Sequence, residues 1–279
     1  MELIEPEVEL LSELGITPES HIARCARVCY GREYKEPNQE ADKKLVEGLI
    51  KRGHLSMLRH ASMYLSHIED ISQIATHIAN SCFWNYDVLH GYASTNLQEF
   101  TQSGVGKETV TVIDNNRFLE KCAKHPRLFE LYRLTFCITT QISTSRELNR
   151  VSPNNIAERS TRFCSSRGGL AICRPWWIKS PEENIVTNAR YYKLACEAEK
   201  TYRNLLLRGM KPEDARGVLP LDTATKVIYT YSIKEWQHIL DLRLYDKTGK
   251  AHPNCHVVME MVKEQINSFA KEHNIDYQV

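Results

Sequence analysis

The sequence predicts an α+β domain that is rich in helices, and three observations support this class. Helical patterns of apolar residues dominate the chain, two short segments have the character of strands, and no internal repeat or flexible linker interrupts them. A chain of 279 residues can bury one large core. We therefore predict one domain over residues 1–279, with a candidate insertion around residues 101–125, where TQSGVGKETVTVIDNN resembles a loop.

Three segments have the residue spacing of helices. PESHIARCARVCYG stops at Gly31, and NQEADKKLVEGLIKRGH stops near Gly53. The third segment runs from Ser180, the predicted N-cap, through Pro181 in the first turn to Gly209, which follows the last apolar residue. Its length of about thirty residues predicts a long scaffold helix.

Two segments have the character of strands. ASMYLSHI alternates in polarity, and TKVIYTY is a run of β-branched and aromatic residues. The second strand leads into SIKE, in which Ser232 and Glu235 have the spacing of a capping box. A further helix is therefore predicted through WQHILDLRL.

The composition argues against several classes of function. The 36 Lys and Arg residues against 35 Asp and Glu residues leave a net charge of +1, which gives no global field for nucleic acid or a membrane. The nine cysteines form no CxxC pair and no zinc-like spacing, so we interpret them as reduced, packed thiols. The N-terminus lacks the features of a signal peptide, and no run of about 18 apolar residues occurs. We expect a soluble, cytoplasmic protein with no membrane partner and no polymeric nucleic acid.

Residues 146 to 164, RELNRVSPNNIAERSTRFC, concentrate hydrogen-bonding side chains. They include four arginines, two glutamates, three asparagines and three hydroxyl groups. Pro153 and the asparagines beside it predict a helix that ends near Arg150 and an irregular loop after it. A single arginine in such a stretch is most often a solvated side chain. The cluster instead suits a phosphate or a carboxylate, so we predict a site for a small anionic ligand.

Three other segments supply basic and hydroxyl side chains. They are GHLSMLRHASMYL with His54, Ser56, Arg59 and His60, DARGVLPLDT with Arg216, and EWQHILDLRLYDKTGKAHP with His238, Arg243 and His252. Two histidines and an arginine at the junction of a helix and a strand favour a site, whereas an exposed salt bridge is an equal alternative for Arg216. His238 and Arg243 are five positions apart, a spacing that is wide for one helical face. We therefore predict no metal ligands there.

These segments resemble the flavin-dependent thymidylate synthase (ThyX) family, which methylates deoxyuridine monophosphate (dUMP) using FAD, NADPH and methylenetetrahydrofolate. The family's signature is Arg-His-Arg followed, at fixed spacing, by Ser, then Glu or Gln, Ser, Arg and Tyr. Arg150, Glu158, Ser160 and Arg162 match it without a gap. GHLSMLRHASMYL, ARGVLP and the block EWQHILDLR…AHP are similar to further family segments, and together the matches cover most of residues 20 to 265. The resemblance implies a ThyX-like fold, with a small, mainly antiparallel sheet, and a homotetramer with composite active sites.

The resemblance also implies roles for individual residues. Those implied to bind FAD are His54, Ser56, Arg150, Glu158 and His238, of which the first two would hold its phosphates. Those implied to bind the pyrimidine deoxynucleotide monophosphate are Glu147, Ser160, Thr161, Arg162, Arg216 and Arg243. The backbone amides of the loop from Ser160 to Arg162, contributed by a neighbouring subunit, are expected to take the phosphate together with the Arg162 guanidinium. Arg150 and Arg243 are the candidate catalytic residues, and no cysteine is expected to attack the base.

The sequence departs from the signature at four positions. Val151 and Ser152 stand where the family has His and Arg, Asn155 where it has Ser, and Phe163 where it has Tyr. One lost charged hydrogen bond costs about 1.5–3 kcal/mol, so we expect FAD binding that is retained but weaker than in the family at large.

Three functions remain open from the sequence alone. The first is flavin-dependent methylation of dUMP to dTMP. The second is a divergent activity that methylates or hydroxymethylates another pyrimidine nucleotide, such as deoxycytidine monophosphate (dCMP). The third is a non-catalytic descendant that only binds a nucleotide.

Two cations are candidates to replace the signature His and Arg that this chain lacks. They are Arg59, which stands where the family commonly has Glu, and Lys234.

Overall fold

The architecture combines short strands with helices of very different length. The computed structural model describes residues 1–31, 36–66, 74–76, 80–105, 110–151, 155–161, 169–179 and 185–279. The strands are β1 (Glu2–Ile4), β2 (Glu7–Leu10), β3 (Ser62–Ser66), β4 (Asn85–Asp87), β5 (Tyr92–Asn96), β6 (Thr111–Ile113), β7 (Arg133–Gln141), β8 (Ile156–Glu158), β9 (Ala171–Cys173) and β10 (Ala224–Ser232). The α-helices delimited within these ranges are α1 (Pro18–Cys29), α2 (Gln39–Lys51), α3 (Leu97–Ser103), α4 (Asn115–Lys124), α5 (Ile142–Leu148), α6 (Ile185–Leu207), α7 (Pro212–Ala215), α8 (Ile233–Arg243) and α9 (Pro253–Glu272). Short 3₁₀ helices cover Leu55–His60, Pro126–Leu131 and Arg216–Val218.

Two antiparallel sheets of four strands form the frame. The first has the order β2-β7-β10-β8, and the second has the order β4-β5-β3-β6. In the first sheet, β7 and β10 pair over their whole length, from Gln141 opposite Ala224 to Arg133 opposite Ser232. β1 and β9 form a separate parallel pair. The predicted helix-rich α+β class with small, mainly antiparallel sheets is therefore confirmed.

The largest hydrophobic core lies where α8 and α9 pack against the first sheet. All nine residues of β7 are buried. On α8, the Trp236 ring packs edge-on against Phe136, with 5.2 Å between ring centroids, and its indole nitrogen donates to the Leu134 carbonyl at 3.1 Å. Val258 and Val262 of α9 belong to the same core. Because this apolar surface leaves water, its burial is the main force that holds α8 and α9 on the sheet.

Most elements predicted from the sequence are found. The first two predicted helices are α1 and α2, and the two predicted strands are β3 and β10. The long helix α6 ends at Leu207, and Gly209 beyond it has a φ of 87°, a left-handed conformation that favours glycine. The predicted start of this helix at Ser180 lies outside the described residues. The capping box of Ser232 and Glu235 opens α8, as predicted.

Two stretches that the sequence presents as loops contain strands. Residues 111 to 113, within the loop-like segment, form β6, because Val112 pairs with Leu65 of β3. After α5, which ends near Arg150 as predicted, the expected irregular loop contains β8, where Ala157 pairs with Ile228 of β10. Pairing with a distant strand decides both conformations, and local sequence carries little of that information.

A chain of buried side chains links α1 to the 3₁₀ helix Leu55–His60. His21 Nε2 lies 3.0 Å from Thr135 Oγ1, which lies 2.8 Å from Thr230 Oγ1, and this hydroxyl lies 2.8 Å from His60 Nδ1. At the other end, Arg24 Nη2 lies 2.7 Å from His21 Nδ1. Burial lowers the pKa of both histidines, and that of His60 falls to about 3.

A second buried polar contact joins β7 to α8. The Arg133 side chain is fully buried, and its Nη1 lies 3.5 Å from Glu235 Oε2. The same carboxylate oxygen accepts the Ser232 amide at 2.6 Å. Arg133 Nη2 also donates to the Thr230 carbonyl at 3.3 Å. The contact therefore couples the start of α8 to the centre of the sheet.

Within the part of the chain that the structure describes, no helix combines the length and apolar character needed to cross a bilayer.

Candidate active site

A cavity of about 600 Å³ lies at the end of β8 and is lined by three chain segments. They are residues 142 and 146 of α5, residues 158 to 161, and residues 216, 217 and 219 to 221. A volume of this size lies within the usual range for small-molecule sites. The segment that follows β8 therefore faces a space large enough for a nucleotide.

The loop after β8 is fixed by two backbone hydrogen bonds. The Arg159 amide donates to the Lys226 carbonyl at 2.9 Å, and the Ser160 amide donates to the Cys29 carbonyl at 2.9 Å. Both amides are therefore used inside the protein. The expectation that the backbone amide of Ser160 binds a phosphate stays a prediction, although this amide has an acceptor within the chain, and Arg162 lies outside the described residues.

Arg216 meets this loop within one chain. It begins the 3₁₀ helix after α7, and its Nε donates to the Glu213 carbonyl at 3.1 Å. Its Nη1 donates to Thr161 Oγ1 at 2.7 Å. The family resemblance implies that these two residues belong to different subunits, whereas in the structure they meet in the same chain. The reason is that the segment after α7 returns to the end of β8.

The carboxylate of Glu158 is held at the cavity wall by neutral donors. Its Oε1 accepts from Ser145 Oγ at 2.8 Å and Thr225 Oγ1 at 3.2 Å, and its Oε2 accepts from Asn149 Nδ2 at 3.2 Å. The strands β8 and β10 and helix α5 together fix its position. The carboxylate is therefore a negatively charged group with a defined place in the site.

Two arginines of the cavity were not among the predicted site residues. Arg146 is exposed on α5, and Arg159 is half-buried beside Glu158. Their only signal in the sequence is membership of the polar stretch from residue 146 to residue 164. A single arginine is ordinarily interpreted as a solvated side chain, so neither residue could be selected as a site residue from the sequence.

A second group of predicted residues lies apart from the lining of the cavity. Arg243 Nε donates to the Glu147 carbonyl at 3.3 Å, and Glu147 Oε1 accepts the His252 amide at 3.2 Å. These contacts tie the end of α5 to α8 and to the start of α9. Arg150 is exposed just beyond α5.

The predicted FAD residues on other elements are exposed to solvent. His54 and Ser56 lie at the start of the 3₁₀ helix, and His238 lies on α8, but none of the three lines the cavity. Their imidazole and hydroxyl groups have the chemistry to donate to phosphate oxygens. These residues therefore suit the cofactor chemically, but they do not surround the cavity of their own chain.

The neighbouring residues of that segment have other partners. His60 is buried in the hydrogen-bonded chain to Thr230. Arg59 Nε donates to Gln98 Oε1 at 2.9 Å, and its guanidinium carbon lies 4.6 Å from the centre of the Phe83 ring. Arg59 is therefore committed to α3 and to Phe83, and does not line the cavity.

The described departures from the family signature are buried. Val151 is 4% exposed and belongs to the largest core, so the position of the signature histidine contributes an apolar contact here. Asn155 is fully buried, and neither Oδ1 nor Nδ2 has a hydrogen-bond partner among the described residues. Ser152 and Phe163 lie outside the described residues.

The five buried thiols that the structure describes are not activated nucleophiles. Burial raises the pKa of Cys25 and Cys122, that of Cys137 to about 11 and that of Cys173 to about 12. Burial and the neighbouring Glu147 carboxylate also raise the pKa of Cys255. Such thiols are protonated at neutral pH, and no cysteine is among the described residues that line the cavity. Among the described residues, no cluster of three or more His, Cys, Asp and Glu side chains could hold a metal ion.

Comparison with known proteins places the chain in a family. The model of the family Thy1, described as thymidylate synthase complementing protein, matches residues 9–81 and 86–270. The chain therefore belongs to this family, and the resemblance to flavin-dependent thymidylate synthases is confirmed.

Curated relatives share a quarter or slightly more of the aligned residues. A flavin-dependent thymidylate synthase of Synechocystis sp. is 26% identical over 148 residues, which are 49% of this chain and 69% of the relative. One of Geobacter sulfurreducens is 28% identical over 161 residues, 56% of this chain and 65% of the relative. A probable one of Paramecium bursaria Chlorella virus 1 is 28% identical over 97 residues, 34% of this chain and 40% of the relative. Two of these three alignments span less than two thirds of the relative.

Similar solved structures include a UMP/dUMP methylase, PolB, from Streptomyces cacaoi. Its form bound with 5-Br dUMP is 19% identical, with 97% of this chain and 93% of that chain covered and a TM-score of 0.42. Its form bound with 5-Br UMP is 17% identical, with 99% and 94% covered and a TM-score of 0.45.

Proposed function

We propose that this protein is a pyrimidine nucleotide C5 methyltransferase that converts dUMP to dTMP with FAD, NADPH and methylenetetrahydrofolate. The observation that carries the proposal is the cavity in which Glu158 and Ser160 of the signature, with Thr161 beside them, face Arg216 of a second family segment. Membership of the Thy1 family supports the same class of reaction.

The side chains of the cavity suit the phosphate of the substrate. A guanidinium group matches the geometry and charge of a phosphate, and Arg216 already donates to a hydroxyl oxygen, that of Thr161, at 2.7 Å. A bound phosphate oxygen would take up this donor or an adjacent one on the same guanidinium. The substrate phosphate thus lies between the loop after β8 and the segment after α7.

The chain itself binds, orients and polarises the substrate. When bound, the flavin supplies the relay of hydride and one-carbon unit that replaces the C5 hydrogen of the base by a methyl group. His54, Ser56 and His238 would hold this cofactor. Arg150 and Arg243 would place positive charge near the base, where it stabilises negative charge that develops during the reaction.

The proposal includes a homotetramer with composite sites. Several apolar side chains of α6 are exposed in the single chain, among them Leu194 at 67% and Leu207 at 84%. These side chains lie on different sides of α6 and do not form one patch, so the homotetramer is proposed from the family resemblance and from the exposed His54 and Ser56. The exposed His54 and Ser56 also need a cavity that their own chain does not place beside them, and a neighbouring copy would supply it.

A product assay tests the proposed reaction. Purified protein is incubated with dUMP, methylenetetrahydrofolate, NADPH and FAD, and the nucleotide product is identified by mass spectrometry. We expect dTMP from the unmodified protein and from Arg208→Ala, because Arg208 is exposed at the end of α6 and does not line the cavity. Arg216→Ala should form little or none. Failure to form dTMP under these conditions contradicts the proposal.

A divergent reaction is the second candidate, and the buried Val151 and Asn155 favour it. An apolar core residue replaces an imidazole, and an amide without hydrogen bonds replaces a hydroxyl, so this part of the site differs in chemistry from the signature. The same assay with dCMP, with detection of methyl and hydroxymethyl products, separates this candidate from the first. Nucleotide binding without any product would indicate the non-catalytic alternative.

We also propose that FAD binding is weaker than in the family at large. Val151 supplies no hydrogen-bonding side chain where the signature has His, and Ser152 supplies no positive charge where it has Arg. A ligand at about 100 times its dissociation constant stabilises a protein by roughly 2.7 kcal/mol, which a thermal shift detects. Colourless protein that shows no thermal shift with saturating FAD would contradict cofactor binding altogether.

A further inference from the structure

Arg146 and Arg159 bring positive charge to the cavity at positions to which the family signature assigns no residue. Arg146 reaches it from α5, and Arg159 stands between the signature residues Glu158 and Ser160. Neither guanidinium has a hydrogen bond or an ion pair to another residue that the structure describes. Two charged groups on the wall of one cavity are thus without a counter-charge of their own.

Two backbone amides beside the cavity are engaged within the chain. The amides of Arg159 and Ser160 donate to carbonyls of β10 and of the end of α1. The Thr161 hydroxyl accepts from Arg216 and keeps one hydrogen to donate. The guanidinium groups are the positively charged donors among the described lining residues.

The charges that line the cavity match a doubly charged anion. Among the described lining residues, Arg146, Arg159 and Arg216 contribute three positive charges and Glu158 contributes one negative charge, which leaves a net charge of +2. A phosphate monoester carries a charge of about −1.5 to −2 at neutral pH and offers three strong acceptor oxygens. A single guanidinium beside the Glu158 carboxylate would not balance that charge.

We propose that Arg146 and Arg159 bind the 5′-phosphate together with Arg216, and that they make the site selective for the doubly charged form of a pyrimidine nucleotide monophosphate. This inference rests on the proposed nucleotide site, which it deepens. The two arginines are substrate-binding residues at positions outside the signature.

A smaller neighbouring cavity is an alternative place for the phosphate. It has a volume of about 100 Å³, shares Arg159, Ser160 and Thr161 with the first cavity, and is also lined by Lys226. Arg159 thus stands at the wall between the two spaces. Of the two cavities, Arg146 lines the larger one and Lys226 lines the smaller one. Variants of these two residues therefore report where the phosphate lies.

Calorimetry with dUMP, deoxyuridine and inorganic phosphate tests the inference on the full-length protein. We expect Arg146→Ala and Arg159→Ala each to weaken dUMP binding by about tenfold or more, the scale of one charge-assisted hydrogen bond. Arg146→Lys and Arg159→Lys should recover part of the loss, because the charge remains. Arg208→Ala and Lys226→Met are the controls and should bind dUMP normally, and deoxyuridine binding should be the same for all variants.

The pH dependence gives a second measurement. The second pKa of a phosphate monoester is about 6, so the doubly charged form is depleted at pH 5.5. The unmodified protein should lose dUMP affinity between pH 7.5 and pH 5.5. The double variant Arg146→Ala/Arg159→Ala should lose much less over the same range.

Each outcome separates this inference from the proposed function. If the unmodified protein binds dUMP, and Arg146→Ala and Arg159→Ala bind it as Arg208→Ala does, the inference is wrong and the nucleotide site remains. If Lys226→Met weakens binding and Arg146→Ala does not, the phosphate occupies the smaller cavity and the inference is overturned. If dUMP does not bind but inorganic phosphate binds through these arginines, the phosphate site remains and the proposed function fails. If neither binds, both are wrong.

Discussion

Asn155 is a buried residue whose side-chain amide makes no hydrogen bond within the part of the chain that the structure describes. A buried polar group without a partner costs about 1–3 kcal/mol, so the residue lowers the stability of the fold at a position where the family signature has a smaller hydroxyl. Only its backbone is engaged, since its carbonyl accepts the Thr230 amide at 3.3 Å.

We predict that Asn155→Ala leaves the free energy of unfolding within about 1 kcal/mol of the unmodified value or raises it, because the substitution removes an unpaired amide. Asn96→Ala is the matched control. Asn96 is equally buried, but its Oδ1 caps α3 by accepting the Glu99 amide at 3.0 Å. Loss of such a cap costs about 0.5–2 kcal/mol. Urea denaturation measures both, and a loss above about 2 kcal/mol for Asn155→Ala would show that its amide is hydrogen-bonded after all.

The buried His60 predicts that stability depends on pH. Its pKa in the folded protein is about 3, below the model-peptide value of about 6.5, so only the unfolded chain takes up a proton as the pH falls below about 6.5. The contribution is complete above that pH and decreases by about 1.4 kcal/mol per pH unit towards pH 3. We expect His60→Gln to have a correspondingly smaller slope between pH 7 and pH 5 in urea denaturation. Equal slopes would mean that His60 is protonated in the folded protein.

At the scale of elements, amphipathic helices and capped helix starts could be predicted from the sequence, and the central strand could not. α1 and α2 bury one face each, so their apolar residues recur with helical spacing. β7 is buried on both faces and mixes Thr with apolar residues in RLTFCITTQ, so it has neither alternation nor a purely apolar run. Its role depends on β2 and β10, which pair with it from distant parts of the chain.

The residues of the site also divide into those that could be predicted from the sequence and those that could not. The residues of the signature segment could be named because their types and spacing are fixed in the family. The contact between Thr161 and Arg216 joins positions 55 residues apart, and it depends on how the segment after α7 returns to the end of β8. Arg146 and Arg159 gain significance only once the cavity is known, because spacing alone does not separate an arginine on a cavity wall from one in water.

The start of α8 gives the prediction at this scale. In Glu235→Gln the side chain can still accept the Ser232 amide, but the fully buried Arg133 loses the carboxylate 3.5 Å away. Breaking a buried ion pair in this way costs about 3–5 kcal/mol. Ser232→Ala removes the other half of the capping box and should cost about 0.5–2 kcal/mol. Urea denaturation compares the two variants, and a loss for Glu235→Gln that is no larger than that for Ser232→Ala would show that the buried contact with Arg133 adds little to the role of Glu235 in capping.

At the scale of the whole molecule, one chain presents two incomplete halves of the proposed site. Arg216, Thr161 and Glu158 line the cavity, whereas the exposed His54 lies on the 3₁₀ helix before β3 and does not. Because Thr161 and Arg216 meet within one chain, a test of composite sites must pair residues from the two halves.

We predict that Arg216→Ala and His54→Ala are each inactive in dTMP formation, and that a mixture of the two regains part of the activity after subunit exchange. Some exchanged assemblies would combine an intact cavity from one subunit with an intact His54 from another. Each variant taken alone through the same exchange is the control. Light scattering gives the assembly size, for which we expect a tetramer. Verified exchange without recovered activity would show that each site is built within one chain.

The hydrogen-bonded chain between Arg24 and His60 has a fixed polarity. A guanidinium can only donate, so His21 Nδ1 must accept from Arg24, and the proton of this neutral imidazole resides on Nε2. His21 then donates to Thr135, Thr135 to Thr230, and Thr230 to His60 Nδ1, since each hydroxyl has one hydrogen to give. Both imidazoles are thereby locked in the same tautomer. The position of the proton on His60 is thus set by Arg24, four hydrogen bonds away. Replacing Arg24 with a residue that cannot donate would allow both imidazoles to change to the other tautomer together.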